Sequence, residues 1–414
     1  MTITYTAPSP AKPAHDSLSP QHHSTPLYNF AAGYLRAFLT VLVLAHHAVL
    51  AYISFVPPPS RSLLTQPQWW LAFPVVDSHR WAGFDLLVGF NDVFFMSLMF
   101  FLSGLFVWNS LQRKGPSAFL HDRAVRLGIP FLVSIAVLAP LAYFPSYLLT
   151  GKSASLGAFG KQWLSLRHWP SGPAWFLSIL LAFDCLAAVL WTKFPDWGTF
   201  LGRALSRAWR TPWTSFGFLA AISALAYIPM TLAFNPISWI TFGPFTIQTS
   251  RLFHYAVYFL VAVALGAFSL DRALLARDGK LAQHWPRWLT AALLAFGLQV
   301  VIGLTALSAH TATPMWTTLA GLTFVLSCAA SSFACLALFA RFAARRFCLF
   351  DSLRDNAYGI YLVHYAFVSW LQYALLKAAL PAATKGLFVF FGALALSWTT
   401  VAALRRIPAV ARVI

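Results

Sequence analysis

Long apolar runs, separated by short breaks that contain polar residues, Pro or Gly, recur along almost the whole chain. A helix needs about 20 predominantly apolar residues to cross the hydrocarbon core of a bilayer, and each run is close to that length. The pattern therefore predicts an all-α integral membrane protein with about ten transmembrane helices. We place them near residues 30–55, 86–109, 128–149, 173–192, 214–234, 250–270, 288–308, 316–340, 356–378 and 384–404.

The composition agrees with this pattern. Of the 414 residues, 59% are hydrophobic and 10% are charged, whereas soluble domains carry roughly 25% charged residues. A net charge of +18 is also typical of proteins that bind nucleic acids. However, 20 of the 29 Lys and Arg residues lie near the N-terminus, after the even-numbered helices, or at the C-terminus. Because cytoplasmic connections carry the excess of basic residues, we expect both termini to be cytoplasmic and no nucleic-acid partner.

This topology divides the chain into three parts. Residues 1–27 are rich in Pro, Ser, Thr and His, a composition typical of a disordered tail. Residues 28–404 form the predicted transmembrane domain, and residues 405–414 form a basic cytoplasmic C-terminus. The four cysteines show no spacing typical of a metal site, so we expect small buried thiols and no metal.

The first apolar run carries an arginine and two histidines, which are costly inside a bilayer. Arg36 and His47 are eleven residues apart, which places them about 20° apart on one helix face and about 16–17 Å apart along the axis. Singly, Arg36 is also explained as an interfacial anchor and His47 as an interior histidine. Together they indicate an anionic ligand that reaches from the cytoplasm toward a base.

A buried imidazole resists protonation, so His47 is expected to be neutral, as a general base must be. His46 points about 80° away from the face shared by Arg36 and His47. We therefore treat His47 as the first candidate catalytic residue and His46 as the second.

Arg123 and Arg126 lie three residues apart before the third predicted helix. They are expected to be neighbours on one helix face at the cytoplasmic surface. Paired guanidinium groups bind phosphate oxygens bidentately, which makes them candidate cofactor-binding residues. The alternative is simple anchoring of the chain at the membrane surface.

Several polar residues in other predicted helices are candidate substrate contacts. Asn91 and Asp92 begin the second helix on the outer side, where helix capping is the alternative. His364 lies near mid-depth in the ninth helix as either a second cavity histidine or a packed one, and Tyr361 lies one turn earlier. Asp184 lies within the fourth helix, where an acid indicates a functional site, but the sequence suggests no partner for it.

Five stretches, in this order within ten predicted helices, resemble the acyltransferase 3 family of bacterial integral-membrane O-acyltransferases. The resemblance covers about residues 28–404. The stretches are Arg36-x10-His47, Phe100-Phe101-Leu102-Ser103-Gly104, Arg123-x-x-Arg126-Leu-Gly-Ile-Pro130, Pro173-Ala-Trp175-Phe176-Leu177, and Asn356-Ala-Tyr358-Gly359-Ile360-Tyr361-Leu-Val-His364.

The resemblance implies transfer of an acyl group, with acetyl favoured, from cytoplasmic acyl-CoA to a hydroxyl of a glycan, glycolipid or related acceptor. It also implies a multi-pass protein of the bacterial inner membrane. His47 is then the base, Arg36 is a donor contact, and Arg123 and Arg126 help to hold the donor. The alternatives are a transporter or flippase for an anionic lipid or small molecule, and a non-catalytic membrane scaffold.

Overall fold

Apolar helices make up nearly all of the computed structural model, which describes residues 27–55, 73–152, 154–166, 168–208, 211–268, 274–308, 313–343 and 345–414. The predicted disordered tail therefore lies outside the described residues, apart from Leu27, which begins the first helix. Within the described part of the chain, the only β-structure is one two-stranded hairpin.

The helices are numbered in chain order, and their bounds are as follows. They are α1 (Leu27–Val49), α2 (Ala82–Gly104), α3 (Val107–Arg123), α4 (Ile129–Val133), α5 (Ala139–Leu148), α6 (Leu156–Leu164), α7 (Trp175–Lys193), α8 (Trp197–Ala208), α9 (Pro212–Ala233), α10 (Leu252–Ala267), α11 (Lys280–Gln283), α12 (Trp285–Ser308), α13 (Pro314–Phe342), α14 (Cys348–Leu375), α15 (Ala382–Leu404) and α16 (Pro408–Ala411). Strands β1 (Trp239–Phe242) and β2 (Phe245–Gln248) lie between α9 and α10.

Nine helical stretches among the described residues are long and apolar enough to cross a membrane. Each corresponds to one predicted transmembrane helix, and the remaining prediction corresponds to α14. This helix has 28 residues, but it carries Asn356, His364 and Gln372, all of which are buried within the protein. Because these polar side chains avoid lipid, α14 can also span. The predicted all-α membrane fold, with about ten spans, is confirmed.

The third span differs from its prediction. A polar connection was expected before residue 128, but the chain is helical from Val107 to Leu148. Gly115 interrupts this stretch with a φ of 75°, a conformation that glycine adopts without steric cost, and Pro116 follows it. Two wide turns, at Ala124–Gly128 and Ser134–Leu138, join α3, α4 and α5.

Helix α1 lies at the centre of the site region, with α2, α14 and α15 packed around it. Helix α2 also packs along α10. At Gly104, an added Cβ would lie 3.0 Å from the Cβ of Ala262 and still closer to the carbonyl oxygen of Phe259. The absence of a side chain at Gly104 therefore allows α2 and α10 to approach closely.

The hairpin positions the start of α10. Its strands pair in antiparallel register from Trp239 opposite Gln248 to Phe242 opposite Phe245. Gly243 forms the turn with a φ of 57°, which favours glycine. After β2, a single turn at Thr249–Arg251 leads directly into α10. The hairpin thus returns the chain into the helix bundle and brings Arg251 beside α2.

Candidate active site

A cavity of about 620 Å³ lies beside the C-terminal half of α1. Its walls come from α1, α2, α5, α7, α10, α14, the hairpin and the segment before α7. The lining residues are Val43, His46, His47, Leu50, Asp92, Phe95, Met96, Tyr143, Leu166, His168, Trp169, Pro170, Ser171, Gly172, Pro173, Trp175, Trp239, Thr241, Thr246, Gln248, Arg251, Tyr255, Tyr361 and Tyr365. A concave, mostly apolar pocket with a few polar groups is typical of a small-molecule site.

Aromatic rings form much of the wall. The ring of Trp175 stacks on Tyr255 and meets Trp239 edge to face, with both centroid distances at 6.0 Å. The backbone N–H of Trp169 donates to the carbonyl of Gly243 in the hairpin turn at 3.1 Å. This bond ties the segment before α7 to the hairpin, so two connections together cover one side of the cavity.

Both histidines of α1 reach the cavity, where they are partly buried. The His47 ring lies 5.0 Å from the Tyr365 ring and 5.4 Å from the His46 ring. His46 stacks on Phe95 of α2 at 5.3 Å. His46 thus packs against α2, whereas His47 packs against α14. The cavity is nevertheless wide enough for both rings to border it.

His364 does not line the cavity but lies directly behind His47. Only 1% of its surface is exposed, and its Nε2 is 3.2 Å from Nδ1 of His47. Further along α14, the Gln372 amide donates to the carbonyl oxygens of His47 and Ala48 at 2.9 and 3.1 Å. These contacts between α14 and α1 fix the end of α1 that carries the histidines.

Asp92 lines the cavity and forms an ion pair with Arg251. Nη1 of Arg251 donates to the Oδ1 and the carbonyl oxygen of Asp92, each at 2.9 Å, and Nη2 donates to Oδ2. The Asp92 side chain remains 46% accessible. Its carboxylate is therefore accessible from the cavity while it is bound to Arg251, which also lines the cavity.

The expected position of Asn91 and Asp92 at a helix start is wrong, because α2 begins at Ala82. Asp85 occupies the first turn instead, where its carboxylate accepts from the backbone N–H of Ser54 at 3.0 Å. Helix capping is therefore excluded for Asn91 and Asp92. Asn91 is fully buried and is not among the cavity-lining residues, so the structure does not support it as a substrate contact.

Arg251 is a site residue that sequence reasoning missed, because it is only the second residue of the sixth predicted helix and was not considered as a candidate. It is buried, and its guanidinium lies 4.9 Å from the centroid of the Phe324 ring. The available signal was the presence of opposite charges within the second and sixth predicted helices. Intramembrane charges commonly pair with one another, but this signal does not specify which helices are neighbours.

The predicted cofactor-binding arginines form a second group away from the cavity lining. Nη2 of Arg36 donates weakly to the carbonyl of Leu102 at 3.4 Å, and its guanidinium lies 5.4 Å from the centroid of the Phe106 ring. Arg36 and Arg123 are close enough for electrostatic repulsion. Arg126 is exposed. Arg36 and Arg123 are thus neighbours, and Arg126 follows Arg123 three residues later in the chain.

Arg123 pairs with an acid of a transmembrane helix. Its Nε is 3.3 Å from Oδ2 of Asp184, which is buried near the middle of α7. The structure therefore supplies the partner for Asp184 that the sequence did not suggest. Arg126 lies within the wide turn at Ala124–Gly128 that follows Arg123. The carbonyl of Arg126 accepts a hydrogen bond from the hydroxyl of Tyr358.

The chemistry available at the cavity is that of imidazole, carboxylate and aromatic groups. Among the described residues, no group of three or more His, Cys, Asp or Glu side chains is placed to hold a metal ion. Tyr361 lines the cavity, but its hydroxyl donates to the carbonyl of Pro173, so its ring is the part left to contact a ligand.

Comparison with known proteins gives one match. A family model described as an acyltransferase domain, of the acyltransferase 3 type, matches residues 30–402. No curated protein and no solved structure matches the chain significantly. The family match covers nearly the whole chain, including every helix that lines the cavity, and it confirms the resemblance seen in the sequence. The chain belongs to the acyltransferase 3 family, and it is a multi-pass membrane acyltransferase.

Proposed function

We propose that the protein transfers an acyl group, with acetyl favoured, from acyl-CoA to a hydroxyl of a glycan, glycolipid or related acceptor. The observation that carries this proposal is the position of His47, whose partly buried ring borders a cavity large enough for a small acceptor. In the predicted orientation, the cavity lies toward the outer side of the bacterial inner membrane. The clustered arginines lie toward the cytoplasm.

The reaction is a substitution at the thioester carbonyl. His47 accepts the proton of the acceptor hydroxyl through a ring nitrogen, and the oxygen attacks the carbonyl carbon. A new C–O ester bond forms and the C–S bond breaks. The leaving thiolate then takes the proton back from His47, so the products are an ester and free CoA. A positioned general base contributes about 10²–10⁴-fold to such a step.

The arginine group is suited to the phosphates of the donor. Arg36 and Arg126 are exposed, whereas Arg123 is partly neutralised by Asp184. Guanidinium groups bind phosphate through charge-assisted hydrogen bonds. Arg36 and His47 are separated by about 16–17 Å along α1, so an extended pantetheine arm along this helix would carry the thioester toward His47.

Asp92 and the aromatic wall are suited to the acceptor. The accessible carboxylate of Asp92 can accept hydrogen bonds from hydroxyl groups, and Arg251 keeps its oxygens in place. The rings of Trp175 and Tyr361 add broad apolar contact. We therefore place the acceptor between Asp92 and His47.

The direct test uses purified protein in lipid nanodiscs with radiolabelled acetyl-CoA and glycan or glycolipid fractions from the host envelope. We expect release of free thiol together with label in one fraction, and that fraction should lack the acyl group in cells from which the gene is deleted. A transporter would instead move a substrate across proteoliposomes without thiol release. Absence of thiol release with all envelope fractions would contradict the proposal.

A further inference from the structure

Two backbone carbonyls determine which nitrogen carries the proton in a pair of adjacent imidazoles. Nδ1 of His47 lies 2.8 Å from the carbonyl oxygen of Val43, and Nδ1 of His364 lies 2.7 Å from that of Tyr361. A carbonyl oxygen can only accept a hydrogen bond, so each Nδ1 must donate. In their neutral forms, both rings therefore carry the proton on Nδ1 and a lone pair on Nε2.

This assignment makes the contact between the two rings directional. Nε2 of His364 lies 3.2 Å from Nδ1 of His47, so its lone pair faces the N–H of His47. That N–H is shared between His364 and the Val43 carbonyl. Nε2 is then the only basic atom of His47, and the His47 ring lines the cavity.

We propose that His364 is a positioning residue for His47, an inference that rests on the acyl transfer proposed above. When Nε2 of His47 takes the acceptor proton, the positive charge spreads over the ring to Nδ1–H. The hydrogen bonds from Nδ1–H to His364 and Val43 then become charge-assisted and stronger. The low dielectric of the interior increases this gain.

His364 acts through His47 and touches neither substrate, because it is 1% exposed and lies outside the cavity lining. It holds no transferred proton at any step. The proton moves from the acceptor hydroxyl to Nε2 of His47 and from there to the leaving thiolate. His364 keeps its own proton on Nδ1, which donates a hydrogen bond to the Tyr361 carbonyl.

Two substitutions separate this role from simple packing. In His364→Gln, the side-chain oxygen can accept from Nδ1–H of His47, whereas His364→Leu fills similar volume without an acceptor. We expect His364→Leu to lower kcat by about 10–100-fold, the range found for partners that orient metal-bound imidazoles, with an unchanged KM for acetyl-CoA. His364→Gln should retain most of kcat. Ser369→Ala, further along α14, is the control and should leave kcat unchanged.

Equal losses in the Gln and Leu variants, or wild-type kcat in His364→Leu, would overturn the positioning role. A second measurement does not depend on activity. The ring ¹⁵N NMR spectrum of histidine-labelled protein, assigned by comparison with His47→Gln and His364→Gln, should show both rings protonated on Nδ1. A proton on Nε2 of either ring would overturn the inference. If the wild type transfers no acyl group but the spectrum shows this tautomer, the proposed function fails and the proton assignment stands.

Discussion

At the scale of single residues, the site combines arginines in ion pairs with arginines whose side chains are exposed. Asp92 with Arg251 and Asp184 with Arg123 are paired within the helix bundle. Arg36 and Arg126 have exposed side chains. A buried ion pair contributes little net stability, but removal of one partner leaves an uncompensated charge. Substitutions of paired and available arginines should therefore have different effects.

We predict that Arg126→Ala raises the KM for acetyl-CoA by about tenfold or more, because one charge-assisted phosphate contact is lost. Thermal unfolding in detergent should be unchanged. Arg123→Ala should instead destabilise the protein by about 3–5 kcal/mol, because it leaves Asp184 buried and unpaired. Donor titrations and thermal unfolding of both variants check this prediction.

Arg113→Ala is the matched control for charge, because Arg113 is an exposed residue of α3. This variant should change neither the KM for acetyl-CoA nor the thermal unfolding. The double variant Arg123→Leu with Asp184→Leu should recover most of the lost stability. An Arg126→Ala variant with wild-type KM for the donor would remove Arg126 from the donor site.

Local sequence patterns predicted several of these residues but not their contacts. His47 and Asp92 stand out because polar groups are unusual in apolar helices. Their partners, His364 and Arg251, are 317 and 159 residues away in the chain. Helical periodicity predicts which residues share one helix face, but it does not predict which helices pack together. The contacts of His47 with His364 and of Asp92 with Arg251 are therefore known only from the structure.

At the scale of elements, close packing between α2 and α10 brings Asp92 and Arg251 together. Gly104 lies within this contact, where Ala262 and the Phe259 carbonyl leave no room for a side chain. Helix contacts inside membranes rely on small residues because lipid offers no hydrophobic driving force between helices. The α2–α10 contact is thus sensitive to one added methyl group.

We predict that Gly104→Ala lowers the free energy of unfolding by about 1–3 kcal/mol, the usual cost of overpacking. Gly89→Ala is the control in the same helix, because its added Cβ would meet no atom within 4 Å. This variant should be as stable as the wild type or slightly more stable. Equal stability of the two variants in detergent unfolding would show that the α2–α10 contact is looser than described.

The elements differ in how well the sequence predicted them. Each transmembrane helix was predictable because the length of an apolar run is set by the bilayer. The β hairpin was not, because its strands have only four residues each and lie in a connection. Nor does the sequence predict the partner of Lys385, which is fully buried in an ion pair with Asp77 at 2.7 Å. Packing between residues far apart in the sequence determines both the hairpin and the burial of Lys385.

At the scale of the whole molecule, the distribution of basic residues predicts which side of the membrane each end of α1 faces. The arginine group then faces the cytoplasm, where acyl-CoA is made, and the histidines lie toward the outer side. This polarity would let a cytoplasmic donor modify an acceptor presented from the other side. The orientation is therefore a separate requirement of the proposed function.

We predict that Lys152→Cys reacts with a membrane-impermeant maleimide in intact spheroplasts, whereas Arg277→Cys reacts only after permeabilisation. Both positions are exposed, and they lie in connections predicted to face opposite sides. The labelling uses protein in which the four native cysteines are replaced by Ser or Ala. Labelling of Arg277→Cys from outside would reverse the topology and place the donor site on the wrong side.

The most direct test of the central claim compares His47→Gln with His46→Gln under saturating acetyl-CoA. Both rings border the same cavity, so the pair controls for general disturbance of the site. If His47 is the base, His47→Gln should bind the donor normally and lose about 10²–10⁴-fold in kcat, with a much smaller loss in His46→Gln. Normal acyl transfer by His47→Gln would contradict the account.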